Sequence, residues 1–197
     1  MNFLAHAFLA GPCAADRIGG LLGDFVKGPL PASLPVDLAA GVALHRAIDV
    51  FAECHPTFKA SRARISPLRR RVSGILVDMF YDHLLARDWL THASGTLDSF
   101  VVRLYAELPE YETKLSASAQ DIARKMRRED WLGSYRDAVE TGRIIDRMAV
   151  HRLRQPNTLS GGIEEFLADA EGFAADFRSF LPDALDFTAE WRASRRA

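Results

Sequence analysis

The amino-acid sequence predicts an all-α fold, a single-domain bundle of roughly eight helices over residues 1–197. Apolar residues recur every three or four positions in most segments, which is the spacing of one helical face. No segment alternates apolar and polar residues for more than a few positions, and β-branched runs are scarce, so strands are not indicated. The chain is also long enough to bury a sizeable core within one domain.

The predicted helices follow one another along the chain, separated by breaks rich in glycine and proline. Asn2 and Asp16 are predicted N-caps of the first two helices. Pro35 favours a helix start because the first helical position tolerates its fixed φ, and Ser66-Pro67 opens the central helix. The predicted segments are residues 2–10, 17–28, 36–54, 56–65, 72–87, 97–108, 116–131 and 133–151, followed by a last helix near residue 166.

The last predicted helix has the clearest amphipathic pattern, because its apolar residues recur every three or four positions. Pro182 is expected to interrupt it, after which the helix resumes towards Trp191. Its apolar face is either core or a dimer surface, so the oligomeric state stays open. The residues of that face are Phe166, Ala170, Phe173, Phe177 and Phe180.

Composition narrows the classes of function. Hydrophobic residues make up 48% and charged residues 26%, as in soluble globular proteins, and the net charge of −1 gives no global attraction to nucleic acid or anionic membranes. No apolar run is long enough to cross a bilayer. The N-terminal segment lacks the basic start of a signal peptide, and the two cysteines lie outside any CxxC pair. The expected location is the cytoplasm.

The stretch VSGILVDMFYDHLLAR, residues 72–87, places charged groups within an apolar helix. Asp78 and Asp82 lie one turn apart on one face of that helix. A helix that is apolar all round is normally buried, and a buried carboxylate is costly unless it is paired, hydrogen-bonded or bound to a metal. Taken singly, each aspartate has an alternative role as the cap of another helix or the partner of a buried arginine.

Other histidines and carboxylates also interrupt apolar helices in the first half of the chain. Imidazole combined with carboxylate oxygens suits Mn, Fe, Zn or Mg, and helical bundles project such ligands inward from facing helices. A cation bound there would lower the pKa of a water and polarise a phosphoryl oxygen. The residues of this set are His6, Asp24, His45, Asp49, Asp78, Asp82 and His83.

Ordinary structural roles compete with metal binding at these positions. His45 and Asp49, four residues apart, are also compatible with a simple hydrogen-bonded pair on one helical face. His6 is compatible with a core histidine, and Asp24 with an ion pair. His83 lies about 100° around the helix from its neighbour Asp82, so it need not face the same site.

Motifs of several well-known sites are absent from the sequence. HExxH, Walker A and GxGxxG do not occur, and neither do the paired Glu-x-x-His repeats of di-iron bundles. Gly19-Gly20, together with Gly23, is interpreted as a helix-packing feature. No elbow motif supports a nucleophilic serine or cysteine.

Two basic clusters indicate an acidic protein partner, because complementary charge accelerates encounter. The alternative is that both are solvated helix faces. Nucleic acid is less favoured because aromatic residues do not interleave with the basic ones. The first cluster is Arg62, Arg64, Arg69, Arg70 and Arg71, and the second is residues 124–128.

Four motifs, in order, resemble one family. MNFLAH at the N-terminus, GDFVKG at 23–28, LHRAID at 44–49 and DMFYDHLLAR at 78–87 are similar to the bacterial acyl carrier protein phosphodiesterases. The resemblance implies an all-helical, Mn²⁺-dependent relative of the HD phosphohydrolases that removes 4′-phosphopantetheine from the serine of holo-acyl carrier protein. The chain departs from the usual HD pattern because it contains no His-Asp dipeptide; the reversed Asp82-His83 is the nearest match.

The resemblance also implies roles for individual residues. Asp49 and His83 are implied to orient a ligand or relay protons in catalysis, and Arg46 to meet the phosphodiester oxygens. Acyl carrier proteins are acidic, which would explain the arginine clusters. The implied metal ligands are His6, Asp24, His45, Asp78 and Asp82.

Two other functions stay open at this point. One is an HD-like phosphohydrolase that acts on nucleotides or another small phosphate ester without a protein partner. The other is a non-catalytic helical module that binds carrier protein or another acidic partner. The module would bind no metal, so metal analysis of the purified protein separates it from both enzymes.

Overall fold

The computed structural model describes residues 2–31 and 33–195, and within these ranges the regular structure consists of twelve α-helices and two 3-10 helices. The 3-10 helices span Gly23–Phe25 and Pro67–Val72. The α-helices are α1 (Phe3–Leu9), α2 (Ala14–Leu22), α3 (Val36–Cys54), α4 (Pro56–Arg64), α5 (Ser73–Arg87), α6 (Trp89–His92), α7 (Leu97–Glu112), α8 (Ala117–Arg128), α9 (Trp131–Ser134), α10 (Ala138–His151), α11 (Ile163–Ala168) and α12 (Ala170–Ser194).

The all-α class is confirmed, although the number of helices is higher than predicted. Short helices account for much of the difference: α6 and α9 have four residues each, and α11 has six. The segment predicted as one helix over residues 133–151 is divided, because the Asp137 carboxylate accepts hydrogen bonds from the N–H groups of Val139 and Glu140 and starts α10 anew.

The two predicted N-caps do not act as caps. Asn2 occupies the cap position of α1, but its side-chain amide donates to Met79 Sδ at 2.8 Å and to the Tyr135 hydroxyl at 3.0 Å. Helix α2 begins two residues before Asp16, which therefore lies in its first turn. In both cases the local sequence indicates a helix start correctly, but tertiary contacts or an earlier start decide what the side chain does.

Helix α5 runs through the hydrophobic core and contacts α1, α4, α10 and α12. Most of its residues are buried because its surface is largely apolar, whereas Ile75 and Asp78 are half-buried and line a cavity. The Tyr81 hydroxyl lies 3.0 Å from Ser61 Oγ of α4, so the phenol has a polar partner inside the core. The fold thus buries Asp82 fully and places Asp78 at the wall of a cavity. The buried side chains of α5 include Leu76, Val77, Phe80, Tyr81, Leu84 and Leu85.

Helices α2 and α3 pack with their backbones in close contact. A Cβ atom on Gly19 would lie 2.6 Å from backbone carbon atoms of Gly41, and one on Gly41 would lie 2.7 Å from the carbonyl oxygen of Ala15. Only glycine permits this approach. The interpretation of Gly19 as a packing residue therefore agrees with the structure. The contact also places α3 beside the 3-10 helix at Gly23–Phe25, which follows α2.

Helix α12 continues through Pro182 without a break, so the predicted interruption was wrong. Proline removes one hydrogen bond, to the carbonyl four residues earlier. Pro182 and Arg178 are both exposed, so water can reach the carbonyl left without a helical partner. The phenylalanine face, with Phe173, Phe177 and Phe180, lies in the core before the proline. Ala184 and Thr188 are buried after it, so the helix packs against the core on both sides of Pro182.

Among the residues described, none of the helices combines the length and apolar content needed to cross a bilayer.

Candidate metal centre

Four elements bring acidic and imidazole side chains together beside a cavity of about 340 Å³. Helix α1 carries His6, the 3-10 helix at Gly23–Phe25 carries Asp24, and α3 carries His45 and Asp49. Helix α5 adds Asp78, and the carboxylates Asp24, Asp49 and Asp78 all line the cavity. The three carboxylates thus line the cavity, and His6 and His45 adjoin it through their contacts with Asp49.

The centre of the cluster is the Asp49 carboxylate, which lies between two imidazoles. Its Oδ1 is 3.1 Å from His6 Nε2, and its Oδ2 is 3.3 Å from His45 Nε2. The two rings stack with centroids 3.7 Å apart. One ligand atom from each of the three residues lies within 4.8 Å of the others. Two imidazole nitrogens and a carboxylate oxygen so arranged match the donor set of Mn, Fe or Zn, so these residues fit a divalent cation.

A hydrogen bond on the side of the ring away from Asp49 fixes the orientation of His45. Its Nδ1 lies 2.8 Å from the carbonyl oxygen of Gly20, which can only accept, so Nδ1 carries the hydrogen. The other nitrogen, Nε2, then faces Asp49 and, at 3.5 Å, Asp24 Oδ1. Metal-binding histidines commonly donate their second N–H in this manner.

Glycine at position 23 makes room for this ring. A Cβ atom there would lie 2.4 Å from His45 Cγ, far inside ordinary contact distance. The GDF sequence therefore does two things at once: Gly23 admits the imidazole, and Asp24 supplies a carboxylate beside it.

The pKa values in the cluster are strongly perturbed. Burial alone would lower the pKa of His45, but its contacts with Asp24 and Asp49 outweigh burial and raise it to about 9. Burial and the neighbouring His45 lower the pKa of His6 to about 3. Burial would raise the pKa of Asp49, but the two imidazoles hold it well below its usual range. The metal-free cluster therefore keeps one proton on His45, and a cation would replace that proton.

Asp78 contributes a further carboxylate to the cavity from α5. Burial raises its pKa above the usual value for an aspartate. A cation in the cavity would offset that cost, because a nearby positive charge favours the ionised form.

The Asp82 carboxylate is not directed into the cluster. Its two oxygens accept the backbone N–H groups of Leu4 at 2.8 Å and Ala5 at 2.9 Å, in the first turn of α1. These N–H groups have no partner within their own helix, so a fully buried Asp82 caps α1 from a distance. Burial raises the pKa of Asp82 to about 7, despite these two hydrogen bonds. The structure thus gives Asp82 the capping role that the sequence left open.

His83 also lies away from the cluster. Its Nδ1 is 2.8 Å from the carbonyl oxygen of Tyr135, and its ring packs edge-on against Phe166. Burial lowers the pKa of His83, in keeping with a neutral core histidine. The helical angle between Asp82 and His83 predicts this separation.

Arg46 does not line the cavity, whereas an arginine that sequence reasoning missed does. The Arg46 guanidinium donates to the carbonyl oxygens of Val26 at 2.7 Å and Gly28 at 2.8 Å, and so holds the loop after Asp24. Arg152, just after α10, lines the cavity instead. No motif surrounds Arg152, and no spacing relates it to the first half of the chain.

The Arg152 guanidinium is supported by two aromatic rings. It lies over Phe3 and Phe25, with its central carbon 5.7 and 5.5 Å from the ring centroids. Among the described residues, no carboxylate forms an ion pair with it. Cation–π contacts of this kind orient a guanidinium without neutralising its charge.

Many members of the two basic clusters pair within the chain. Arg64 joins α4 to α12 through Asp169 and Asp176, and Arg69 pairs with Glu165. These arginines stabilise the packing of helices, and their charge is already matched. Exposed basic residues that form no ion pair within the described part of the chain are Arg70, Arg71, Lys125 and Arg127.

Comparison with known proteins gives consistent results. A family model described as acyl carrier protein phosphodiesterase matches residues 1–184. Relatives carrying that name include one from Pectobacterium atrosepticum, 31% identical over 92% of this chain and 94% of its own length. One from Escherichia coli O6:H1 is 32% identical over the full length of both chains, and one from Yersinia pestis is 33% identical over 77% of this chain and 79% of its own. No solved structure matches, so the likeness to HD phosphohydrolases stays a prediction.

Proposed function

Because the chain belongs to the acyl carrier protein phosphodiesterase family, we propose that it hydrolyses the phosphodiester of holo-acyl carrier protein. The products would be 4′-phosphopantetheine and the apo-protein with a free serine hydroxyl. The observation that carries this proposal is the cluster of His6, His45 and Asp49, since Asp49 lines a cavity that also presents Arg152, an arginine with no ion pair among the described residues. A phosphodiester needs both features, since its charge must be held while its phosphorus is attacked.

We infer that the cavity holds a divalent cation, and we propose Mn²⁺. His6, His45 and Asp49 would bind it, with Asp24 and Asp78 on the same walls. When bound, such a cation lowers the pKa of a water and polarises a phosphoryl oxygen. Asp49 has an additional part, because contact with both imidazoles orients His6 and His45 towards the same point.

We propose Arg152, in place of Arg46, as the arginine that binds the phosphodiester. A guanidinium can hold two non-bridging phosphodiester oxygens at once through its paired N–H groups. Arg152 lines the cavity and forms no ion pair among the described residues, whereas the Arg46 guanidinium donates to two backbone carbonyls of a loop. Arg152 would also lessen the repulsion between the anionic substrate and the cavity carboxylates.

The direct test is the intact mass of carrier protein after incubation with the purified protein and Mn²⁺. Loss of the phosphopantetheine moiety, blocked by prior removal of metal with a chelator and restored by Mn²⁺, is the expected result. Absence of release with Mn²⁺, Mg²⁺, Fe²⁺, Co²⁺ and Zn²⁺ would refute the proposed function. Equal turnover of small phosphate esters without carrier protein would favour the broader phosphohydrolase.

A further inference from the structure

A second cavity adjoins the candidate metal centre. Its volume is about 440 Å³, and Met148 and Arg152 line both cavities. Its remaining lining combines apolar and aromatic residues with polar ones: the first group is Phe3, Ile122, Trp131, Tyr135 and Ile144, and the second is Lys125, Glu129, Arg147 and His151.

A hydrogen bond also joins the linings of the two cavities. Asn2 lines the first cavity and Tyr135 the second, and the Asn2 amide donates to the Tyr135 hydroxyl at 3.0 Å. The same amide donates to Met79 Sδ on α5, so the start of α1 is tied to both sides. These contacts fix the position of the two spaces relative to each other.

We propose that the second cavity is the subsite for the pantetheine arm of the carrier protein. This inference rests on the proposed phosphodiesterase function. The phosphodiester would lie at Arg152, beside the carboxylates and imidazoles, and the arm would extend past Met148 into the second cavity. A single guanidinium at the junction would thus mark the point where the charged end of the substrate meets its neutral arm.

The chemistry of the arm fits the lining. Beyond its phosphate, the arm has no charge and consists of a dimethyl-substituted carbon, a secondary hydroxyl, two amides and short methylene segments that end in a thiol. Ligand sites for such molecules are mostly apolar, with a few polar groups that set orientation. Phe3, Trp131 and Ile144 supply apolar surface, and the Trp131 indole N–H already donates to Glu129 at 2.9 Å. The cavity therefore offers apolar contact area to a neutral chain, and Arg152 is the cation that it shares with the first cavity, where the phosphate belongs.

Filling the cavity tests the proposal. Ile144→Trp places a larger ring in the second cavity, far in sequence from the proposed ligands His6, His45 and Asp49. Val150→Trp, at an exposed position of the same helix, is the matched control. We expect Ile144→Trp to retain Mn²⁺ affinity and to lower kcat/KM for holo-carrier protein by at least about tenfold, mainly through KM. Val150→Trp should behave as the wild type.

Product inhibition supplies a second readout that does not depend on the carrier protein surface. Free 4′-phosphopantetheine should inhibit the wild type more strongly than inorganic phosphate does, because only the former carries the arm. Ile144→Trp should weaken inhibition by 4′-phosphopantetheine and leave inhibition by phosphate unchanged. If Ile144→Trp does not fold, Trp131→Ala removes one wall and should weaken the same inhibition while Mn²⁺ still binds.

The two proposals fail differently. Normal release of phosphopantetheine by a folded Ile144→Trp protein, with unchanged inhibition, would overturn the subsite and leave the phosphodiesterase function standing. Equal inhibition of the wild type by phosphate and by 4′-phosphopantetheine would also overturn the subsite. No release of phosphopantetheine by the wild type would overturn the function itself.

Discussion

Gly23→Ala is the sharpest test of the geometry at the candidate metal centre. The backbone at Gly23 has φ −56° and ψ −33°, which alanine adopts readily. Backbone strain is therefore small, and the effect of the substitution comes from its side chain. The new Cβ would lie 2.4 Å from His45 Cγ and 2.8 Å from His45 Cβ.

The size of the effect follows from these distances. Ordinary contact begins at 3.4 Å, so the imidazole or its helix must move by about 1 Å. Overpacking of this kind costs about 1–3 kcal/mol of stability. The movement also pulls Nδ1 away from the Gly20 carbonyl that orients the ring. Loss of such a supporting contact lowers metal affinity by about 10- to 100-fold, and we expect phosphopantetheine release to fall with it.

Calorimetric titration of the metal-free protein with Mn²⁺, together with the carrier-protein mass assay, measures both effects. Gly74→Ala is the matched control: its Cβ meets only Glu53 Oε1, at 3.7 Å, near the start of α5. Alanine is the better helix former, so Gly74→Ala should be neutral or stabilising by about 0.5–1 kcal/mol. Wild-type Mn²⁺ affinity and activity in folded Gly23→Ala protein would refute the assignment of His45 as a ligand.

Three other results are expected. His45 must lose its proton to bind a cation, and its pKa of about 9 lies above neutrality. Mn²⁺ affinity should therefore rise about tenfold per pH unit from pH 6.5 to 8.5, with release of one proton. A flat pH profile of the affinity would contradict this protonation state. Asp82→Ala leaves two buried N–H groups of α1 without an acceptor, so urea unfolding should show a loss of about 2–4 kcal/mol, and an unchanged midpoint would contradict the capping role. Arg152→Gln should lower kcat/KM for holo-carrier protein by about 10- to 100-fold without changing Mn²⁺ affinity. Arg46→Gln is its control, since the Arg46 guanidinium donates to loop carbonyls and does not line the cavity; an equal loss in both variants would count against the role of Arg152.

Local spacing predicts part of the candidate site. His45 and Asp49 are four residues apart in a helix whose bounds the sequence places correctly, and their side chains do meet. The alternative interpretation, a hydrogen-bonded pair four residues apart, describes the same contact in the absence of a cation. The sequence therefore identifies the pair, and the arrival of His6 from another helix is what makes a three-ligand cluster.

Residue spacing does not predict the role of a side chain when that role depends on which helix or loop packs against it. Asp78 and Asp82 lie one turn apart on one helix, and their sequence environments are alike. Asp78 faces the cavity, whereas Asp82 meets the unpaired N–H groups of α1. The two arginines differ for the same reason: Arg46 lies next to the proposed ligand His45 but hydrogen-bonds to a loop, and Arg152 reaches the cavity from the residue after α10.

The sequence by itself determined that this protein is helical, which segments form the longer helices, and which residue types are set apart within apolar surroundings. These properties follow from local periodicity, since each helix forms through contacts three or four residues apart. The tertiary structure alone decided that Asp82 caps α1, that Arg152 reaches the cavity and that a second cavity adjoins it. Those contacts join residues far apart in the chain, so they depend on which helix packs opposite which, and that is settled by the burial of the whole apolar surface.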